Sequence, residues 1–208
     1  MKKLFATAAV ATMTVLASTS AHATLVPVGV QNNVTAATVA GWGFTQCFSA
    51  TYGTLGLTTA GMLSGCQGDT LMLAARRTGS AVYEVLGAAS YADVTFNTGT
   101  GNVTHNANGI EWYFNNNWSW GFAAGGDLVS RNSCDTASTN AAQRLCWHTH
   151  QGYSGGWRAG TFTGLNNDQG WEKVILVANA NSVPEPASVA LVGVALLGLG
   201  AARKRKSA

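Results

Sequence analysis

The sequence predicts an all-β fold, in which a single antiparallel β-sandwich-like domain is held by two disulfides. Three observations favour this fold class. Only 10% of the 208 residues are charged, and 25 are glycine. Apolar residues occur in short alternating runs between clusters of Gly, Asn, Thr and Ser, which is typical of strands joined by turns. The chain also has four cysteines, an even number that suits two disulfides in an exported protein.

The first element, residues 1–23, predicts export. Two lysines at positions 2 and 3 are followed by an apolar stretch over residues 4–17, and residues 21–23 (Ala-His-Ala) then supply small side chains around a cleavage site. This order is that of a secretory signal peptide. We therefore expect export by the general secretory route and a mature chain that begins at Thr24.

Residues 24–182 are predicted to form one β-rich extracytoplasmic domain, since their length suits one domain. Residues 24–40 suit an opening strand or a linker, and residues 179–182 suit a tether. Glycines after Thr78 and Asn108 indicate turns. Strands are predicted over residues 71–76, 81–86, 92–96, 110–114, 118–122, 157–162 and 171–178.

Two of these strands leave an alternative open. Residues 71–77 (LMLAARR) and 82–89 (VYEVLGAA) are also compatible with short helices. The last strand is clearer, because its run of Val-Ile-Leu-Val-Ala is continuous and rich in β-branched residues. Such a run indicates a strand that is buried on both faces.

The cysteines predict two disulfides rather than a metal site. Four cysteines allow three pairings, and we prefer Cys47–Cys66 with Cys134–Cys146, because each pair encloses a short stretch rich in turn residues. Zinc is the alternative, but no C-x-x-C spacing occurs in the chain.

An aromatic stretch at residues 111–122 (EWYFNNNWSWGF) predicts a hairpin. The three asparagines at 115–117 suit a tight turn, because Asn tolerates left-handed backbone conformations. If Phe114 faces Trp118, then residue 112 pairs with 120 and residue 110 with 122, which gathers the aromatic side chains on one face. That face is either core or an exposed platform for sugar rings, and Trp118 and Trp120 are the candidate glycan-binding residues.

Two patterns could carry catalysis or metal binding. Ser154 lies in a G-x-S-x-G sequence, and His105, Asp127 and Ser154 follow the chain order of trypsin-like proteases. However, no helix is predicted after the serine and no histidine follows it, so a glycine-rich loop is expected instead. His148 and His150 could share a strand face and bind a metal, but no carboxylate lies beside them. We expect no catalytic residue, no metal and no cofactor.

The C-terminal segment, residues 183–208, has three parts. Val183, Pro184, Glu185 and Pro186 are followed by 16 uncharged residues, and then by the basic residues Arg203, Lys204, Arg205 and Lys206. A helix of that length spans about 24 Å, which is short of the ~30 Å hydrocarbon core, so it would be a weak anchor. Basic side chains stay on the cytoplasmic side, so the body is expected outside.

This three-part ending resembles the PEP-CTERM sorting signal. The resemblance implies recognition by an exosortase, a membrane cysteine peptidase of Gram-negative bacteria that make exopolysaccharide. It further implies transient anchoring in the inner membrane through a short transmembrane sorting helix, followed by release to the cell surface or extracellular matrix. Runs such as "GGWRAG" and "WEKVI" are similar to the bodies of other PEP-CTERM proteins, which implies a shared fold but assigns no functional residue.

The charge of the mature body bears on its partners. The whole chain carries +3, but between Thr24 and Val183 six basic residues stand against eight acidic ones, a net charge of −2. A nucleic-acid partner bound through its phosphates is therefore not expected. The sequence predicts a non-catalytic cell-surface or matrix protein associated with exopolysaccharide. The alternatives are a carbohydrate-binding module and, more distantly, a secreted hydrolase.

Overall fold

The structure is a computed structural model that describes residues 24–150 and 153–179. The predictions for the signal peptide, for Val183–Pro186 and for Arg203–Lys206 lie outside the described residues. Within them, no helix is long and apolar enough to cross a membrane.

The described chain is mostly β-strand, with three short helices and one 3₁₀ turn. The helices are α1 (Ala36–Gly41), α2 (Thr59–Leu63) and α3 (Tyr91–Val94), and the 3₁₀ turn is Ala141–Gln143. The strands are β1 (Gln31–Thr35), β2 (Thr45–Thr51), β3 (Thr70–Arg77), β4 (Val82–Ser90), β5 (His105–Ala107), β6 (Ile110–Phe114), β7 (Ser119–Ala124), β8 (Arg131–Asn132), β9 (Cys134–Asp135), β10 (Leu145–His148), β11 (Gly156–Ala159), β12 (Phe162–Thr163) and β13 (Trp171–Ala178).

The strands form two antiparallel sheets. The first has the order β1-β4-β3-β13-β2, and the second has the order β12-β11-β10-β7-β6-β5. A separate small hairpin joins β8 to β9. The predicted all-β class, with two antiparallel sheets in a sandwich-like arrangement, is confirmed.

Aromatic side chains fill the space between the two sheets. Trp112, Trp120 and Trp147 come from the second sheet and Trp171 comes from the first, and each is at most 1% exposed. The rings of Trp120 and Trp147 meet edge to face, with their centroids 6.0 Å apart, which is a favoured geometry for aromatic pairs. Indole rings therefore supply much of the bulk that a leucine-rich core would provide.

Each sheet is also covered on its outer face. Val39 of α1 and Phe44 pack against Val174 and Leu176 of β13, so β13 is buried on both faces as predicted. The second sheet is covered by residues 125–144, which we call the cap. Val129 and Cys134 of the cap pack on Tyr113, Ala123 and Cys146. The domain therefore has a covering layer outside each sheet of the sandwich.

Both predicted disulfides are confirmed. Cys47 is bonded to Cys66 with a Cα–Cα distance of 5.1 Å, and Cys134 is bonded to Cys146 with a Cα–Cα distance of 5.8 Å. The first joins β2 to the segment after α2. The second joins the cap to β10, so it fixes the cap to the second sheet.

The strands predicted at residues 71–76 and 81–86 are confirmed, and the helical alternative for them is wrong. Two other secondary-structure predictions are corrected. Residues 92–96 are not a strand, because the Ser90 hydroxyl accepts a hydrogen bond from the Asp93 amide and caps α3. Residues 157–162 form two strands instead of one, since a turn that contains Gly160, with φ +60°, separates β11 from β12.

Residues 24–40, predicted as an opening strand or a linker, form β1 and then α1. The Thr35 side chain accepts a hydrogen bond from the Thr38 amide. It thereby ends the strand and caps the helix.

The hairpin of β6 and β7 exists, but its predicted register is wrong by two residues. Phe114 lies opposite Trp120 and Trp112 opposite Phe122, because the turn is longer than the three asparagines. The Asn115 amide donates to the Ser119 carbonyl at 3.0 Å, which closes the turn around Trp118. A slip of two residues keeps each side chain on its face, so the aromatic side chains still lie on one side.

Candidate functional site

The predicted glycan-binding role of Trp120 is corrected by its burial. Trp120 is 0% exposed, and its indole N–H donates to the Val94 carbonyl at 2.9 Å. The side chain packs against Phe114 and Trp147 in the core. No face of the ring is open to a sugar, so the ring serves the interior of the sandwich.

Trp118 has a different position. It lies in the turn between β6 and β7, where it is half-buried. Its amide donates to the Thr149 hydroxyl at 3.2 Å, and its carbonyl accepts from the Thr149 amide at 3.3 Å. Its indole Nε1 is buried without a hydrogen-bond partner. A role of Trp118 in glycan binding stays a prediction.

His105, Asp127 and Ser154 each have other partners. Ser154 is 0% exposed, and its hydroxyl oxygen accepts from the Leu57 amide at 2.8 Å. His105 pairs with Asp93 at 2.7 Å, and Asp127 pairs with Arg144 at 2.9 Å. In the described parts of the chain, no hydrogen bond joins any two of these three side chains.

The segment around Ser154 forms a tightly fixed loop. The Ser154 carbonyl accepts a hydrogen bond from the Lys173 ammonium, and the Gly155 carbonyl accepts one from the His148 amide at 2.9 Å. A Cβ atom on Gly156 would lie 1.8 Å from Cδ2 of Tyr52. The glycine at position 156 is therefore explained by its contact with a core tyrosine, without reference to catalysis.

Next to this loop lies a cavity of about 300 Å³, which we call the His148 pocket. The second sheet supplies His148 at the end of β10 and Trp157 in β11. The cap supplies one wall, and Tyr153 and Asn166 complete the lining. The lining residues are Asn132, Ser133, Cys134, Thr136, His148, Tyr153, Trp157 and Asn166.

The cap wall of the pocket is held in place by covalent and polar bonds. His148 follows Cys146 by two residues, so both side chains leave β10 on the same face, and Cys146 is bonded to Cys134 of the cap. Ser133, with φ +68°, lies between β8 and β9, and its hydroxyl is 3.1 Å from Nδ1 of His148.

A buried ion pair lies behind the cap wall. Asp135 is 0% exposed and accepts from Arg144 at 2.5 Å. Two further hydrogen bonds, from the backbone amides of Ser130 and Ala137, also reach the Asp135 carboxylate. All of these partners lie within the cap, so the ion pair fixes the shape of the cap, while the disulfide fixes the cap to β10.

The His148 pocket has an uncharged lining at neutral pH. Burial lowers the pKa of His148 below its ordinary value; the nearby Asn166 side chain raises it, and the charge of Lys173 lowers it again. The imidazole is therefore neutral at pH 7. The other lining residues are amides, hydroxyls, aromatic rings and a disulfide, so the pocket has no charge with which to hold an ion.

Two polar atoms of the lining are buried without a formed hydrogen bond. They are the indole Nε1 of Trp157 and the Oδ1 of Asn166. The Asn166 side chain approaches the imidazole closely enough to influence its pKa, but the contact does not have the geometry of a hydrogen bond. Both atoms have almost no accessible surface, so a ligand in the pocket as it stands cannot reach either of them.

A second cavity, of about 210 Å³, lies near the β6–β7 turn. It is lined by Leu57, Thr58, Thr59, Ala60, Asn116, Asn117 and Thr149. No aromatic ring lines it, and Asn116 and Asn117 are exposed. It therefore offers a ligand fewer of the contacts that define a binding site.

The metal hypothesis for His148 and His150 gains no third ligand in the described residues. Across residues 24–150 and 153–179, no three His, Cys, Asp or Glu side chains are grouped closely enough to hold a metal ion. The Nδ1 of His148 is also engaged with Ser133. The absence of a metal from this protein stays a prediction.

Most basic side chains of the body are internal. Arg131, Arg144, Arg158 and Lys173 are at most 8% exposed. Arg158 donates to backbone carbonyls of the cap, and Arg131 donates to the carbonyls of Gly99 and Gly101. These cations are used inside the domain, so they cannot contribute to a surface that attracts phosphates.

Sequence reasoning singled out His148 but not its neighbours in the pocket. Trp157, Asn166 and Ser133 come from β11, a later loop and the cap, and only the tertiary fold brings them together. The signal that could have found them was the predicted disulfide, because it places the residue before Cys134 beside the strand that ends at His148.

The comparisons with known proteins give one match. Residues 182–206 match the family model of the PEP-CTERM protein-sorting motif. No curated protein and no solved structure matched the chain. The predicted resemblance is confirmed, and the matched segment coincides with the predicted sorting signal at 183–208 to within two residues at each end. The motif is that of an exosortase-sorted, extracellular protein that transits the membrane.

Proposed function

We propose that this chain, which carries a PEP-CTERM protein-sorting motif at residues 182–206, is a non-catalytic protein of the extracellular matrix that associates with exopolysaccharide. An exosortase of a Gram-negative inner membrane processes it after a signal peptide has directed its export. The β-rich body then stays at the cell surface or in the matrix.

The sorting motif is the observation that carries this proposal. Its physical design suits a temporary anchor, because the 16 uncharged residues between Pro186 and Arg203 are too few for a helix to span the hydrocarbon core unless the bilayer thins around it. The four basic residues hold the end of that helix on the cytoplasmic side. A short segment rich in Gly and Ala is easier to release than a long leucine-rich helix.

The body supports a role as a durable extracellular module. Two disulfides suit an oxidising compartment outside the cytoplasm. The buried polar residues that could otherwise serve chemistry, among them Arg144, Asp135 and Ser154, have structural partners in the domain. These pairings give each residue a scaffold role that needs no reaction.

The experiment is a fractionation of cells that express the full chain or the variant in which Pro184, Glu185 and Pro186 are all replaced by alanine. We expect the wild-type body in the matrix fraction, bound to the cell's own exopolysaccharide, and the variant in the inner membrane. The matched control replaces Asn179 and Asn181 with alanine just before the motif and should behave as wild type.

Two outcomes would contradict the proposal at different steps. If the triple variant reaches the matrix as efficiently as the wild type, the motif does not control sorting. If the wild-type body is released but washes out of the matrix as freely as an unrelated secreted protein, the association with exopolysaccharide is wrong. Glycan cleavage by the purified body would overturn the non-catalytic assignment.

A further inference from the structure

The first and the last described residues of the domain lie together. The Thr24 hydroxyl donates a hydrogen bond to the Asn179 carbonyl at 2.9 Å, although 155 positions separate the two residues. The next amide, that of Leu25, donates to the Trp42 carbonyl at 3.0 Å. Both ends of the described chain are therefore held at one end of the first sheet, where β13 finishes.

We call the surface at this point the terminal face. The segment after Cys66 also reaches it, because the Asp69 amide donates to the Ala178 carbonyl at 3.1 Å. Leu25 is 56% exposed, Gln67 is exposed and Trp42 is half-buried. None of the residues that form the face is basic, and one is acidic. The face comprises Thr24, Leu25, Trp42, Gln67, Asp69 and Asn179.

The end of β13 is firmly held in the first sheet. Ala178 lies opposite Thr70 of β3, and Val177 lies opposite Thr45 of β2. Leu176, just before them, is 3% exposed. Release of these residues would break strand pairing on both sides and expose a core leucine, which is costly. The domain therefore ends at a fixed point and does not readily unravel to lengthen the connection that follows.

That connection is short. Residues 180–182 alone separate Asn179 from Val183, the first residue of the predicted sorting signal. Covalent geometry keeps the two Cα atoms within about 14 Å of each other in any conformation of the connecting residues. A small protein domain is roughly 30 Å across. A peptidase that holds residues 183–186 in its cleft is therefore wider than the gap, so its surface meets the terminal face.

We propose that the terminal face is the surface by which the folded body contacts the exosortase while that membrane peptidase processes the sorting motif. The exposed Leu25 side chain and the half-buried Trp42 form the apolar part of the contact, and Gln67 belongs to its polar rim. Aromatic residues are enriched and charged residues are depleted at the centres of such interfaces. The inference rests on the proposed function, because it names a second recognition surface for the same peptidase.

The test follows processing of the full chain in cells that carry the exosortase. Synthesis is induced, and the intact mass at successive times shows removal of the signal peptide and of the basic tail separately. The face variants are Leu25→Asp and Gln67→Arg. Leu55→Asp is the matched control, because Leu55 is 45% exposed and follows the opposite end of β2, where Thr51 pairs with Glu172. Thermal unfolding of each purified variant checks that it folds.

A second set of the same chains carries a spacer of about 12 Gly and Ser residues between Ala180 and Asn181. The lengthened connection then spans roughly 20 Å on average and can extend further, so the peptidase can hold the motif without touching the body. The spacer thereby separates an effect of the terminal face on peptidase contact from any effect on export or folding.

With the native connection, we expect both face variants to lose the basic tail about tenfold more slowly than the wild type. This is the scale expected when a charge replaces one apolar contact at an interface. Leu55→Asp should be processed as the wild type is. With the spacer, the wild type should be processed more slowly than without it, and all four chains should share one rate.

Three outcomes would overturn the inference. The face variants could be processed at the wild-type rate, Leu55→Asp could be slowed equally, or the face variants could stay slower than the wild type when the spacer is present. The variant with alanine at residues 184–186 tests the proposed function separately. If that variant is blocked while the face variants are processed normally, only the inference fails. If it is processed normally, the motif does not control sorting and both proposals fail.

Discussion

Lys173 stands on the inner face of β13 between two core residues, Trp171 and Ile175. It is 0% exposed, and its ammonium group donates to the Ser154 carbonyl. No carboxylate lies within salt-bridge distance of it in the described chain. Burial therefore lowers the pKa of Lys173 from 10.5 to about 8. The side chain holds the loop beside the His148 pocket in place, but the burial of its charge lowers the stability of the domain.

We predict that stability rises with pH above 8 and that Lys173→Met removes this dependence. Between pH values of about 8 and 10.5, the unfolded chain keeps the Lys173 proton while the folded chain releases it. The free energy of unfolding therefore rises as pH increases. At pH 7 the variant should be more stable by at most about 3 kcal/mol. Urea unfolding from pH 7 to 9 stays below the ordinary tyrosine pKa of 10.0, so tyrosines of the unfolded chain remain mostly protonated. A wild type with constant stability over that range would contradict the account.

Gly156 is the glycine whose replacement should cost most in the loop around Ser154. Alanine there would place its Cβ 1.8 Å from the ring of Tyr52, which is itself 0% exposed and hydrogen-bonded to the Arg158 carbonyl at 2.9 Å. We expect Gly156→Ala to lower the free energy of unfolding by about 1–3 kcal/mol or more. Gly41→Ala is the control, since nothing lies within 4 Å of its Cβ position, and equal urea midpoints for both would contradict the prediction.

Single residues were predictable where the chemistry is local. The pairing of Cys47 with Cys66 and of Cys134 with Cys146 follows from short loops in an exported chain. The burial of Trp120 was harder to predict, because aromatic side chains on one side of a strand follow the same period whether that side faces solvent or a second sheet. Only the packing of the second sheet against β3 and β13 decides the question.

At the level of elements, periodicity identified the face of a strand but not its register. In the β6–β7 hairpin, the observed pairing of Phe114 with Trp120 differs from the prediction by two residues, and a two-residue slip leaves the pattern unchanged. Residues 92–96 contain Val, Thr and Phe, which favour a strand. The cap from Ser90 and a long-range bond from the Tyr91 amide to the Asp69 carbonyl at 2.8 Å override that preference.

The cap is the element that depends most on a single covalent bond. We predict that replacing both Cys134 and Cys146 with alanine lowers the free energy of unfolding by about 3 kcal/mol on the chain-entropy model. The loss should be local as well, because the cap would then be held to the second sheet only by non-covalent contacts, such as the bond from Arg158 to the Ala137 carbonyl and the packing of Val129. Hydrogen exchange should accelerate over residues 125–144.

Removal of the other disulfide provides the control. Replacing Cys47 and Cys66 with alanine should lower the stability by a similar amount, since the separation of 19 residues is comparable to that of 12 for the first bond. It should leave exchange in the cap unchanged. Uniform acceleration over the whole domain in both variants would show that the cap is not a separate element.

In the molecule as a whole, the segments predicted to direct targeting lie at the two ends of the chain, and the residues that form the fold lie between them. The basic residues of the two ends give the chain its charge of +3, while residues 24–183 are weakly acidic and use four of their cations inside the domain. Composition therefore predicted the class of the fold, and the C-terminal motif predicted the sorting signal. It could not predict that β13, the last strand, lies between β2 and β3, because that pairing joins residues more than 90 positions apart.

The central claim is that the body reaches the extracellular matrix through removal of both ends of the chain. It is tested most directly by the intact mass of the native protein from matching strains with and without the exosortase. With the enzyme, we predict a mature protein that begins at Thr24 and lacks Arg203–Lys206, with both disulfides formed and any attached glycan visible as added mass. Without it, the protein should keep its basic tail and remain in the membrane fraction. Matrix protein that still carries Arg203–Lys206 in the strain with the exosortase would contradict the account.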